Sequence, residues 1–326
     1  MEILEKNPFI YEKSYSNELF PLKKQEEWRE VFSKIHQISE IRMRVNQPVL
    51  IYLNGREHYL SSEGKITGTE MNSKVIREDE IRDFIAYWCG NSRYAYEEQL
   101  KQGFLTLKNG HRVGICGEIV LDEKQKITTL KYISSLNIRL AHQVKGCSLP
   151  ILPYLYEGDR VKNILILSAP AAGKTTLLRD LVRIISEGNY LEKGKSVSLI
   201  DERKEIAACY QGVPQLEVGK RTDIMDGCPK QYGMQMVLRS MSPEVIAVDE
   251  LGGKQEWEFL QEIARCGTSI LATVHADSYE EWRKKHRERK GNKEEIFDLV
   301  VELFKEKNNF RGRIYERGRK EPCCIY

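Results

Sequence analysis

Residues 163–176 read Asn-Ile-Leu-Ile-Leu-Ser-Ala-Pro-Ala-Ala-Gly-Lys-Thr-Thr. A short apolar strand over 164–167 that breaks at Ser168-Ala169-Pro170 and passes into a helix after Gly173 would build a phosphate cradle. Backbone N–H groups from Ser168, Ala169, Ala171, Ala172, Gly173, Lys174, Thr175 and Thr176 turn inward, around the fixed bend of Pro170, and the helix dipole behind them favours an anion. In such a loop Lys174 reaches the β- and γ-phosphates and Thr175 sets its hydroxyl on Mg²⁺. The spacing is that of a nucleoside triphosphate loop, with Ser168 where the motif has its first glycine. The interior Ala169-Pro170-Ala171-Ala172 is poor in glycine. Any position there with φ > 0 costs alanine roughly 1 kcal/mol more than glycine. A loop more rigid than usual, or weaker in nucleotide binding, is therefore expected.

Two further groups have residue types that complete such a site. In Val245-Ile246-Ala247-Val248-Asp249-Glu250, four apolar residues end in two carboxylates. Asp249 fits the acid that supports Mg²⁺ from a neighbouring strand, and Glu250 fits a base that polarises the attacking water. An acid pair there can also be a plain helix cap. Thr273-Val274-His275-Ala276 puts an imidazole at a strand end, where it could meet the γ-phosphate or the water, or could be an ordinary satisfied polar residue. Asp201-Glu202-Arg203 follows a third strand, and for Asp201 the alternative is an N-cap of a helix over 202–209. Arg203, Arg221, Arg239, Arg112 and Arg139 are candidates for extra positive charge on the phosphate, with a solvated surface role as the default.

These groups need strands to carry them. Strands fit 164–167, 196–200, 245–248 and 269–273, each short and apolar or β-branched, as strands covered on both faces should be. Between them run helical stripes: Leu177, Leu178, Leu181, Val182, Ile184 and Ile185, then Met234, Val237, Leu238 and Met241. The alternation predicts an α/β domain over 151–326 with a mostly parallel sheet, and sites at the carboxyl ends of its strands. Residues 1–150 read as a smaller α+β domain. Ile41, Met43 and Val45 alternate with arginines, 49–53 turns at Asn54-Gly55, Ile81, Phe84, Ile85 and Trp88 recur at helical spacing before Gly90, and a second hairpin turns near Asn109-Gly110. Pro150, Pro153 and Gly158-Asp159 mark a linker.

The bulk properties narrow the class. The 326 residues carry 51 Lys and Arg against 48 Asp and Glu, so charge alone implies no polyanionic partner. Eight cysteines without Cys-x-x-Cys spacing read as reduced thiols of a cytoplasmic protein. No leader is expected, nor a span of the roughly 20 apolar residues a membrane needs, so a membrane role would come through partners. The run Arg283 to Lys290 could meet nucleic acid or anionic lipid, but flanking Glu280-Glu281 and Glu294-Glu295 favour a solvated helix. Asn292-Lys293-Glu294-Glu295 ends in Glu and follows no strand, which argues against guanine recognition.

Taken in order, these motifs resemble the secretion-ATPase superfamily of P-loop proteins: the loop 168–175, an acidic box at Asp201-Glu202, Leu238-Arg239 running through Pro243 to Asp249-Glu250, and the histidine box Thr273–Ala276. The Leu-Arg segment has one extra residue before its proline, and Glu244 in place of Asp. A sporulation branch of that superfamily is resembled more closely. The phrases are Glu40-Ile41-Arg42-Met43-Arg44-Val45, Tyr94-Ala95-Tyr96-Glu97-Glu98, Gly110-His111-Arg112-Val113-Gly114, Ser134 to Arg139, Leu199 to Arg203, Cys209 to Pro214 and Arg221 to Pro229. The resemblance spans roughly residues 40 to 280, first domain included. It implies a RecA-like P-loop ATPase core using ATP and Mg²⁺. Lys174 and Thr175 would bind phosphates and metal, Asp249 support the metal, Glu250 activate water and His275 sense the γ-phosphate. It also implies a homo-oligomer, a hexameric ring with first-domain arginines reaching the nucleotide. The role implied is a mother-cell motor on membrane proteins of a channel to the forespore. A nucleic-acid-associated ATPase, a small-molecule phosphotransferase and a nucleotide-binding scaffold are the alternatives. The Asp249-Glu250 pair with His275 favours water as acceptor over a metabolite.

Overall fold

The computed structural model describes residues 19–90, 96–287, 293–306, 309–319 and 321–326. Their contacts form two compact units, one of residues 19–142 with Ala208–Gln215, the other of Gln143–Ala207 with Leu216–Tyr326.

The first unit is a seven-stranded antiparallel sheet. Its strands are β1 (Ile38–Arg44), β2 (Leu50–Leu53), β3 (Arg56–Leu60), β4 (Ile66–Thr67), β5 (Phe104–Thr106), β6 (Arg112–Leu121) and β7 (Ile127–Arg139), in the order β4-β3-β2-β1-β7-β6-β5. Three helices accompany it: α1 (Arg29–Ser33), α2 (Glu78–Trp88) and α3 (Glu97–Lys101). The β2–β3 turn needs φ > 0 at both central residues, and Asn54 (φ 51°) and Gly55 (φ 74°) supply it. Glu80 accepts the Arg77 N–H at the start of α2, and Gly90 leaves its end at φ 55°. The core gathers Ile41, Met43 and Ile51 of the sheet with Ile81, Phe84 and Trp88 of α2. Phe20 stacks on Trp28 with centroids 4.2 Å apart.

In the second unit a hairpin of β8 (Tyr156–Glu157) and β9 (Arg160–Val161) precedes an eight-stranded sheet. That sheet contains β10 (Ile164–Ser168), β11 (Val197–Asp201), β12 (Thr222–Asp226), β13 (Val245–Val248), β14 (Ser269–His275), β15 (Leu299–Glu306), β16 (Asn309–Glu316) and β17 (Cys324–Ile325). The order is β12-β11-β13-β14-β10-β15-β16-β17. Pairings from β12 to β15 are parallel and the last two are antiparallel. The helices are α4 (Lys174–Glu187), α5 (Lys230–Ser240), α6 (Lys254–Arg265) and α7 (Tyr279–Arg287). Leu165, Leu167, Ile246, Val248, Ile270 and Ala272 share one core with Met234 and Val237 of α5, Trp257 and Leu260 of α6 and Trp282 of α7. The alternate strand residues Ile164, Ile166 and Leu271 turn to the opposite face, and α4 runs along β10, β11 and β14.

Three expectations change. The stretch with Pro150 and Pro153 is not an open linker: Leu149–Tyr154 is a 3₁₀ turn with Ile151 and Leu152 buried. Met241 is exposed because α5 stops at Ser240, leaving it outside the apolar stripe. No helix follows Asp201, and its carboxylate serves a loop instead.

Candidate nucleotide site

The sheet order sets β14 between β10 and β13, and the register aligns their carboxyl ends: Ser168 lies opposite His275 and Val248 opposite Ala272. The residues just past those ends are therefore forced together. Lys174, on the first turn of α4, is buried and reaches back to the strand ends. Its Nζ donates to the Ser168 carbonyl (3.1 Å), Ser168 Oγ (3.2 Å) and the Ala169 carbonyl (3.2 Å), and lies 3.1 Å from His275 Nδ1. Burial pushes the Lys174 ammonium below its ordinary range, while Asp249 and Glu250 pull the other way.

Thr175 Oγ1 donates to Asp249 at 2.9 Å. The other Asp249 oxygen accepts from Thr273, a fully buried residue whose hydroxyl in turn accepts the Glu250 N–H at 2.8 Å. Glu250 is thus pinned at φ 52°, a left-handed conformation that a non-glycine residue rarely takes. Its carboxylate lies 3.0 Å from His275 Nε2 and 2.5 Å from an Arg203 nitrogen. With Lys174 donating to Nδ1, the imidazole is assigned the neutral Nε2–H tautomer, donating to Glu250. One chain of contacts then runs Lys174–His275–Glu250–Arg203.

The loop explains its own departures. Ser168 is the last, fully buried residue of β10, an extended position that asks for no glycine. Gly173 takes φ 96°, which does ask for one, and Ala171 takes φ 58°. The first amides of α4 have no partner within the helix; the Leu177 N–H makes the first such bond, to Gly173. They are available to an anion.

Asp201 is buried and accepts the N–H groups of Glu205 (2.9 Å), Ile206 (3.0 Å) and Ala207 (2.9 Å). Burial raises its pKa, opposed by those three bonds. Arg179 of α4, also buried, donates to the Ile206 (2.5 Å) and Glu205 (2.8 Å) carbonyls. Together they fix the loop that carries Arg203. Sequence reasoning gave Thr273 no separate role and Arg179 none. A threonine two residues before His275 lies on the same face of its strand, and that spacing was the available signal.

Of the other arginines, Arg221 donates to the Ser186 carbonyl (2.9 Å) and Arg239 is exposed on the last turn of α5, so neither joins this cluster. Arg112 and Arg139 pair across β6 and β7 in the first unit, with the Arg112 guanidinium 3.9 Å over Phe104. The start of the basic run lies on a helix with a solvated charged face, where Lys284 pairs with Glu280 at 2.7 Å and both are exposed; Arg283 is mostly covered and bonds Glu294 at 3.0 Å. Glu288 to Lys290 and Asn292 lie outside the described residues.

A mostly parallel sheet with helices on both faces, a Gly-Lys-Thr loop opening α4, and acids at the end of the next strand but one, with β14 in between, has the fold of a RecA-like P-loop ATPase core, here with a smaller α+β unit preceding it. The family described as "Sporulation stage III, protein AA" matches residues 18–320, and this chain belongs to it. Stage III sporulation protein AA of Bacillus subtilis (strain 168) is 38% identical over 271 residues, 83% of this chain and 84% of the relative. Among solved structures, the Legionella pneumophila ATPase DotB aligns with a TM-score of 0.60 at 14% identity, over 92% of this chain and 82% of that one. The pilus retraction motor PilT with bound ADP gives 0.58 at 13%, over 90% and 83%. At such identities the likeness is one of fold.

Proposed function

We propose that this protein is an ATP-hydrolysing motor of the mother cell, working as a hexameric ring on membrane proteins of a secretion-like channel between mother cell and forespore. Family membership and the fold shared with DotB and PilT support that reading. No helix among the described residues is long and apolar enough to cross a membrane; the reading assigns contact with such a channel to partners and places the motor on the cytoplasmic side. Arg283 and Lys284 already have acidic partners, which speaks against a nucleic-acid role for that helix.

The observation that carries the catalytic part is the convergence of Lys174, Thr175, Asp249, Glu250 and His275. Thr175 Oγ1 and the Asp249 carboxylate are hard oxygen donors 2.9 Å apart, a set that suits magnesium. Bound magnesium would supply positive charge to the β- and γ-phosphate oxygens. Lys174 exchanges its carbonyl partners for phosphate oxygens, and the amides of 171–176 hold the rest. Glu250 accepts a proton from water as the water oxygen bonds to the γ-phosphorus. The bond from that phosphorus to the oxygen retained by ADP breaks, and the proton leaves with inorganic phosphate. His275, between Lys174 and Glu250, registers whether the γ-phosphate is present.

Glu250→Gln tests this. ATP affinity should stay within about twofold, while turnover falls by roughly 10²- to 10⁴-fold. Wild-type turnover in that variant would remove Glu250 from its role.

A further inference from the structure

Phe310 is a large aromatic residue with 59% of its surface exposed, on a ribbon that outruns the sheet. Pairing of β10 with β15 ends at Leu167 opposite Glu302, whereas β15 and β16 stay paired as far as Glu306 opposite Asn309. Four more residues at strand rise carry the ribbon about 13 Å past that last β10 pair. It extends on the side where the phosphate loop lies. Phe310 lies beside that loop: its ring edge comes within 3.9 Å of where a Gly173 side chain would begin. Lys305, opposite it in register, holds its ammonium 5.9 Å from the ring centroid.

We infer that Phe310 is the stacking platform for the base of the bound nucleotide. The inference rests on the nucleotide reading of the loop, but adds a residue to which neither the motifs nor the catalytic chain assigns a part. The loop takes phosphates through backbone amides and Lys174, and none of these contacts a base. An exposed aromatic ring beside Gly173 offers what they lack, a flat apolar face at the loop's edge. Stacking is indifferent to the identity of the base, so Phe310 contributes affinity for nucleosides as a class and leaves the choice of adenine to other contacts. Phe310 touches neither Glu250 nor Lys174 in the contacts described above, so it acts on binding and not on the chemical step.

The test compares ligands with and without a base on the full-length protein. Affinities for Mg-ADP and for magnesium pyrophosphate are measured by calorimetry for wild type, Phe310→Ala and Phe310→Tyr. Phe310→Ala should weaken ADP by roughly 5- to 100-fold and leave pyrophosphate within twofold, and Phe310→Tyr should restore ADP binding. KM for ATP should rise in Phe310→Ala in step with the loss of ADP affinity. Equal ADP affinity in wild type and Phe310→Ala would overturn the inference, and so would a parallel loss for both ligands, which would mean damage to the loop. If wild type binds pyrophosphate but not ADP, the platform is refuted while the phosphate loop stands. If wild type binds neither, the nucleotide reading itself falls and this inference falls with it.

Discussion

His111 should make the first unit acid-sensitive well above the range in which carboxylates titrate. The imidazole is buried, and its Nδ1 accepts the Ala141 N–H at 3.1 Å, so the folded state holds it neutral. Burial, helped by the nearby His142, pushes its pKa from 6.5 to about 4. Below 6.5 the unfolded chain takes up a proton that the folded chain refuses. Stability is therefore complete above about pH 6.5, falls as pH drops toward 4, and levels off below that. At 1.36 kcal/mol per unit the full loss is about 3 kcal/mol, of which about 2 kcal/mol is gone by pH 5. His142, also pushed down by burial, adds loss of the same sign. Glu30 and Glu80, held low by their lysine partners, lose stabilisation only as pH falls through and below the usual carboxylate range, near 4. The interval from 6.5 to 5 thus belongs to the histidines. Hydrogen exchange of β1 and β7 amides across pH 7 to 5 reads the opening free energy of this sheet. His111→Asn keeps an acceptor near the Nδ1 position while removing the titration. It should be less stable than wild type at pH 7 but show a visibly flatter slope between 6.5 and 5. An identical slope in wild type and variant would refute the argument from burial.

Two further outcomes follow from the candidate nucleotide site. Ala171→Gly relieves a left-handed alanine worth roughly 1 kcal/mol but loosens the unfolded chain by a similar amount, so the melting temperature should barely move. A fall of about 2 to 4 °C, the size of an uncompensated loss of roughly 1 kcal/mol in a domain of this size, would show that the φ of 58° is not the strain it is taken for. Thr273→Val leaves the Glu250 N–H and one Asp249 oxygen without their bond, while Thr273→Ser keeps it. Valine should raise the magnesium concentration needed for nucleotide binding by roughly 10- to 100-fold, with serine close to wild type. Equal magnesium dependence in all three proteins would strip Thr273 of a positioning role.

What could be read in advance divides along physical lines. Strands covered on both faces announce themselves as apolar runs, and Val245–Val248 was legible to the residue. The Asn54-Gly55 and Asn109-Gly110 turns were legible because few residues accept their backbone angles. Edge strands were not. Thr222–Asp226 carries two aspartates and is only half-buried, so neither its composition nor its period sets it apart from a loop. Nor did the segment after His275 look like a sheet. Its charged helix hides the return to β15, β16 and β17, where long-range pairing outweighs local preference. Asp201 shows the same limit in the other direction. A carboxylate after a strand looks like a helix cap, but here its three acceptor bonds hold a loop that Arg179 grips from below, and no local pattern encodes that pairing.

The site residues converge because of an order that sequence alone does not show. β14 is the fifth strand of the sheet in chain order, yet it lies between the loop strand and the acid strand. Two residues of one face of that strand then divide the work. Thr273 meets Asp249 and the Glu250 backbone, and His275 meets Lys174 and the Glu250 carboxylate. A shift of β14 by one residue would turn both away together, since successive side chains alternate faces. Spacing in the sequence therefore fixes that Thr273 and His275 face the same way, and the parallel register with Ser168 and Val248 fixes what they meet. The glycine-poor loop fits the same frame. Its serine ends a strand instead of opening a turn, and its remaining demand for a left-handed residue falls on Ala171 and Gly173 alone.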